Sequence, residues 1–268
     1  MPSTDTVFAG SIPSVYDRYM VPLLFRSYAV AAADRLRALR PTRVLETAAG
    51  TGVLTEELHR ALPEAEIVAT DLNQPMLDEA ARRINAPNVR FQQSDALELT
   101  FDDASFELVV CQFGIMFFPD KVKGNAEALR VLRSGGKYSL VIWDHIDRNA
   151  ASKVACTALA DLFPDDTAAF YERIPFRYHD KAAIEQDLRA AGFTDIDIET
   201  VELRSRAASA RDVAIALTQG TPMRSEIEKR GEKALITATA VATDALRQFE
   251  SPEGFDAPMS AHIVTATR

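Results

Sequence analysis

Nine residues, Val44-Leu-Glu-Thr-Ala-Ala-Gly-Thr-Gly52, and an acid further on, Asp71, are the part of this sequence best suited to hold a ligand and choose its charge. The residue types predict a short apolar strand ending at Glu46, a small-residue loop through Gly50 to Gly52, and an amphipathic helix from Val53 to Ala61. That is the first unit of an open α/β sheet, in which ligands sit at the carboxyl ends of strands. Small residues allow close approach of the backbone, and N–H groups free at the helix start can donate to the ligand.

Spacing and charge decide which ligand. A dinucleotide loop needs Gly-x-Gly-x-x-Gly. Counting from Gly50 and Gly52, the third position is Thr55; counting from Ala48 and Gly50, it is Val53. Both frames fail. Glu46 would crowd a pyrophosphate but can pair with a cation, so the loop favours a positively charged, phosphate-free nucleoside over NAD.

These residues resemble motif I of the class I S-adenosylmethionine-dependent methyltransferases, Glu/Asp-x-Gly-x-Gly-x-Gly, with alanine in place of the first glycine. The resemblance implies S-adenosylmethionine as cofactor, held by Glu46, Thr47, Ala48, Gly50 and Gly52. Ala48 adds one methyl group and gives up easy access to positive φ. Tyr16-Asp-Arg-Tyr19 resembles the leading helix of the ubiquinone and menaquinone type, which closes over the cofactor; the other reading of Tyr16 and Tyr19 is docking of that helix on the core.

Asp71 ends a strand, Ile67–Thr70, at the distance from the loop where an acid binds ribose hydroxyls; it could instead cap the next helix. Leu72 and Met76 are placed to sandwich the adenine, although Met76 at helical spacing also fits ordinary core. In the family resembled, Asp95 takes the adenine amino group and the Ala96 N–H a ring nitrogen; a turn aspartate is the alternative. Cys111, Gln112 and Phe113 fall where they meet the methionine part and the adenine. Phe117 and Phe118 face either the acceptor or the next helix, Asp120 to Leu132. Trp143, at the end of a strand Lys137–Trp143, walls the acceptor pocket or covers the sheet edge, and His145 is a candidate base or a structural histidine.

The expected fold is α/β: a Rossmann-like seven-stranded sheet, mostly parallel with the last strand antiparallel, helices on both faces and a helical cap. Residues 1–13 read as a mobile tail, and Pro22 interrupts the helical pattern that follows. The expected divisions are a leading lid over 1–40, a cofactor-binding core over 41–146 and 180–206, cap insertions at 147–179 and 207–258, and a last strand within 259–268. Acceptor choice is assigned to the two insertions and to Trp143, Phe170, Tyr171, Phe176 and Tyr178, and cofactor binding to 41–118.

The remaining composition narrows the classes. A chain of 268 residues, 47% hydrophobic and 26% charged, can bury one sizeable core. Its net charge of −9 argues against a nucleic-acid substrate. Cys111 and Cys156 with four histidines form no metal-ligand spacing, so no metal is expected, and nothing activates Cys111 as a nucleophile. With no apolar run of membrane length and no secretory pattern in Met1 to Gly10, the expected setting is the cytoplasm, away from membranes. The expected reaction is in-line methyl transfer to a small-molecule acceptor, without an assigned catalytic side chain and with homodimer formation left open. The rivals are an NAD(P)-dependent oxidoreductase and an S-adenosylmethionine-binding protein without transfer.

Overall fold

The structure, a computed structural model, describes residues 7–8, 10–164 and 169–268. Its sheet contains β1 (Arg43–Glu46), β2 (Glu66–Asp71), β3 (Val89–Gln93), β4 (Phe106–Gln112), β5 (Leu132–Trp143), β6 (Thr194–Ala207), β7 (Glu250–Ser251) and β8 (Gly254–Thr267). The order is β3-β2-β1-β4-β5-β8-β6, with β7 paired to β8. β1 to β5 run parallel, with Glu46 opposite both Ala69 and Val110 and Asp71 opposite Gln93. β8 is antiparallel to β5. The continuous apolar runs of β1, β2 and β4 are buried, as parallel strands covered on both faces must be. The strand order reverses between β1 and β4, the switch point where such sheets open a crevice for ligands.

The chain forms two compact units. The sheet unit comprises Tyr28–Trp143, Tyr178–Val201 and Ala261–Arg268. The other, mostly helical, comprises Met1–Ser27, Asp144–Arg177 and Glu202–Ser260. The helices in chain order are α1 (Ile12–Val15), α2 (Arg26–Leu36), α3 (Val53–Ala61), α4 (Gln74–Arg83), α5 (Lys121–Val131), α6 (Ala150–Leu162), α7 (Ala169–Arg173), α8 (Lys181–Ala190), α9 (Ala210–Gln219), α10 (Met223–Glu228) and α11 (Ala234–Leu246).

Of the tail expected over 1–13, residues 1–6 and 9 lie outside the described ones, and α1 already begins at Ile12, with Ile12 and Pro13 buried. Pro22 does not break the helix. A wide, π-helical stretch, Tyr16–Phe25, joins α1 to α2, and the Arg26 N–H reaches back five residues to the Val21 carbonyl. A proline has no N–H and crowds the preceding turn, and the wider register accommodates both defects.

The late strands are longer than their sequences suggest. β5 starts at Leu132 because Leu132 pairs with Phe106 and Lys137 with Leu108, which leaves the Ser-Gly-Gly turn as a bulge with Gly135 at φ 74°. β6 continues to Ala207 and β8 starts at Gly254, and β7 forms a short hairpin with β8, so the sheet has eight strands where seven were expected.

Arg130 on α5 fixes the segment that leads from β3 into β4. Its guanidinium donates to the carbonyls of Leu99 and Phe101 and to the carboxylates of Asp103 and Glu127, all at 2.8–2.9 Å. Arg130→Ala is expected to lower stability by about 1.5–3 kcal/mol, the usual range for lost hydrogen bonds to a charged group, measured by urea denaturation.

Candidate cofactor site

The loop after β1 has a simple backbone rule: every second residue is left-handed. Ala48, Gly50 and Gly52 have φ values of 53°, 57° and 79°. This accounts for three alternating glycines in the motif, and it means that Ala48 takes up the glycine conformation at a cost of about 1–2 kcal/mol. The methyl group of Ala48 has room because position 114 is glycine. A Cβ at Gly114 would lie 2.4 Å from Ala48 Cβ and 2.8 Å from Cys111 Sγ. Gly52 is equally constrained, since a Cβ there would lie 2.9 Å from Ile84 Cδ1 and 3.0 Å from Ala80 Cβ of α4.

Asp71 ties this loop to β2. One carboxylate oxygen accepts the Gly50 N–H at 2.9 Å and the other the Asn73 N–H at 2.8 Å. It therefore does not cap α4, whose N-cap is Asn73. Thr47, Ala49 and Gly52 also give their N–H groups to protein carbonyls. The donors expected to be free in this loop are thus largely engaged by the fold itself.

Glu46 is almost fully buried and accepts a 2.6 Å hydrogen bond from Thr55 Oγ1. Thr55 is the residue whose place a dinucleotide loop would give to glycine; here it serves the acid. No basic side chain is paired with Glu46 among the described residues. Burial first, and the neighbouring Asp71 charge to a lesser degree, push its carboxyl up to about 8. Burial raises Asp71 as well, against the pull of its backbone hydrogen bonds.

The other expected site residues divide between the two units. In the sheet unit, Leu72 follows Asp71 and is 46% exposed, an apolar side chain open to solvent, with its carbonyl held at 2.8 Å by Gln93 Nε2. Met76 is core. Asp95 makes a local turn, accepting from Leu97 N–H at 2.9 Å, with Ala96 half-buried beside it. The Phe113 N–H bonds the Val141 carbonyl, and Gln112 and Cys111 end β4 before it. Phe113, also left-handed at φ 53°, stacks on Trp143 at 3.9 Å, and both rings lie roughly perpendicular to Tyr28. Tyr28 was not legible as part of this arrangement; it is fully buried, with its hydroxyl on the Val201 carbonyl. Phe117 lies in a 3-10 turn, Ile115–Phe117, whereas Phe118 packs onto α5, where a Cβ at Gly124 would lie 2.6 Å from its ring. Tyr178 donates to Asp187 at 2.9 Å beneath Lys121.

Tyr16, Tyr19 and His145 belong to the helical unit. Tyr16 stacks on Phe25 at 5.1 Å, Arg18 lies over the Tyr19 ring, and His145 Nδ1 caps the turn Ile146–Arg148 through Asp147 N–H. Phe170, Tyr171 and Phe176, expected to line an acceptor cavity, pack with one another, and Tyr171 donates to the Leu217 carbonyl at 2.6 Å. They are buried because the helical unit needs a core of its own.

A family profile described as a methyltransferase domain matches residues 44–136. The demethylmenaquinone methyltransferase of Deinococcus radiodurans is 42% identical over 118 residues, 43% of this chain and 49% of that protein. The chain thus spans about half the length of that relative. The demethylmenaquinone methyltransferase of Chlorobaculum tepidum is 32% identical over 173 residues, 62% of this chain and 67% of that protein. The chain belongs to the class I S-adenosylmethionine-dependent methyltransferases, in the ubiquinone–menaquinone methyltransferase-like group. In fold it is similar to the YcgJ protein of Bacillus subtilis, with TM-score 0.58, 19% identity, and coverage of 89% of this chain and 98% of that one.

The residues fit the family's cofactor, S-adenosylmethionine. A buried acid lacking a basic partner suits a cation, the left-handed loop leaves no side chain in its turn at Gly50 and Gly52, and Leu72 offers an apolar face. Ser94 Oγ and Thr51 Oγ1 are buried polar atoms without a partner among the described residues, and the Ser94 N–H is bonded to the Asp71 carbonyl.

Two outcomes follow from this geometry. Below pH 4.5, the ordinary value for Glu46, folded and unfolded chains both hold the proton; between there and about 8 only the folded chain does. Without cofactor, stability should therefore fall as pH rises through this window, by on the order of a few kcal/mol. Glu46→Gln should flatten that fall in denaturation measured at several pH values. Separately, Gly114→Ala should be severely destabilising in the native background and partly rescued by Ala48→Gly. Ala48→Gly alone should keep both fold and cofactor binding, as thermal melts with and without S-adenosylmethionine will show.

Proposed function

We propose that this chain transfers the methyl group of S-adenosylmethionine to a small, partly apolar acceptor of the quinone-precursor class for which its relatives are named. The observation that carries the reading is the buried Glu46 carboxylate, set beneath a left-handed loop without a basic partner among the described residues. The net charge of −9 supports a small acceptor over a nucleic acid.

When bound, S-adenosylmethionine supplies a methyl group on a positively charged sulfur. Glu46 would meet the ligand's positive charge, Asp71 would accept from ribose hydroxyls through its remaining lone pairs, and Leu72 would cover the adenine. Alignment of acceptor, methyl and sulfur can supply roughly 7–11 kcal/mol of the barrier without an essential base. Cys111 takes no covalent part: burial pushes its thiol up to about 11, so it stays protonated at neutral pH. With S-adenosylmethionine held by Glu46 and Asp71, the acceptor would take the methyl group directly, the methyl–sulfur bond breaking to leave S-adenosylhomocysteine.

The test is to incubate the chain with S-adenosylmethionine and a demethylated naphthoquinol and follow both products by mass spectrometry. Formation of S-adenosylhomocysteine together with an acceptor one methyl group heavier is expected; cofactor bound but never consumed would overturn the transfer. Asp71→Ala should weaken cofactor binding by about 1.5–3 kcal/mol in calorimetry.

A further inference from the structure

The backbone of the cofactor loop is held from outside by one side chain that no motif includes. Arg83, at the last turn of α4, donates from Nη2 to the Thr51 carbonyl at 2.6 Å, and its Nε lies 3.7 Å from Glu56 on α3. The Thr51 carbonyl belongs to the peptide that enters Gly52, the N-cap of α3 at φ 79°. The end of α4 also packs on that glycine through Ala80 and Ile84. Two consecutive contacts, one polar and one apolar, therefore fix the same peptide plane.

We infer that Arg83 is a positioning residue of the cofactor loop, holding the Thr51–Gly52 peptide in the orientation that binds S-adenosylmethionine. The inference rests on the cofactor reading above. A peptide plane that enters a left-handed glycine can rotate at small cost, because glycine has no Cβ to oppose the new backbone angles. Rotation here would swing the Thr51 carbonyl away from Arg83 and take the Gly52 N–H off the Ala49 carbonyl that now accepts it at 2.9 Å. A guanidinium bonded to that carbonyl opposes the rotation with a charge-assisted hydrogen bond. Glu56 steadies the guanidinium and is itself paired with Arg60, so α3 and α4 orient the arginine together. Arg83 has no reason to touch the reacting atoms, so its loss should affect cofactor affinity and leave the chemical step alone.

The experiment measures Arg83→Met and Arg83→Lys beside the unaltered chain, with calorimetric Kd for S-adenosylmethionine, kcat at saturating cofactor, and urea midpoints. Arg83→Met should raise Kd and the cofactor KM about tenfold while kcat stays within about twofold, and Arg83→Lys, which keeps a donor, should fall between. A folded Arg83→Met protein with Kd within about twofold of the unaltered chain overturns the inference, even if its urea midpoint drops. A kcat that falls with Kd unchanged overturns it too. Should Arg83→Met not fold, the same two readings on Arg83→Lys decide. If the unaltered chain itself fails to bind S-adenosylmethionine, the cofactor reading falls, and this inference with it.

Discussion

The carboxylate of Asp71 joins the ends of two neighbouring parallel strands, and the arrangement of the site depends on that tie. Gly50 sits in the loop after β1 and Asn73 in the turn after β2, and one side chain accepts an N–H from each. A loop with left-handed residues at 48, 50 and 52 has little regular hydrogen bonding of its own to hold it. Its backbone groups must be satisfied by neighbours, and Asp71, the Thr70 and Val110 carbonyls and Arg83 do so. The price is a buried acid whose own carboxyl is raised by desolvation.

Glu46 carries the opposite logic. Thr55 satisfies it by one hydrogen bond, and among the described residues no arginine or lysine is paired with it. A buried carboxylate in such a place holds its proton until something positive arrives, and the proposed cofactor brings positive charge. Stability without cofactor and affinity for it are therefore set by the same residue in opposite senses, as at many functional sites. Tyr28, Phe113 and Trp143 pack together at the carboxyl ends of β4 and β5, with Phe113 left-handed and stacked on Trp143.

The first half of the fold was legible because its signals are local. β1 and α3 lie at the residues their apolar run and small-residue turn predicted, and β2 and α5 within a residue or so at either end. β6 is largely exposed, with half-buried Ile196, Ile198, Val201 and Leu203 set between exposed polar residues. The contacts that explain the motif's departure were not legible at all: Gly114 makes room for Ala48 from 66 positions away, and Arg83 reaches Thr51 from the far end of α4. Such pairs are set by strand order and helix packing, which one sequence does not spell out. Phe118 follows the second of its two readings, packing on the next helix, and Phe170, Tyr171 and Phe176 pack with one another within the helical unit.

The central claim is that a protonated Glu46 releases its proton to solvent when a cationic nucleoside binds beside it. Calorimetry of S-adenosylmethionine binding at pH 7, in two buffers of unlike ionisation enthalpy, measures the protons released. With the Glu46 carboxyl at about 8 in the empty site, release should approach one proton per ligand bound and vanish in Glu46→Gln. Binding whose heat does not depend on the buffer would contradict the account.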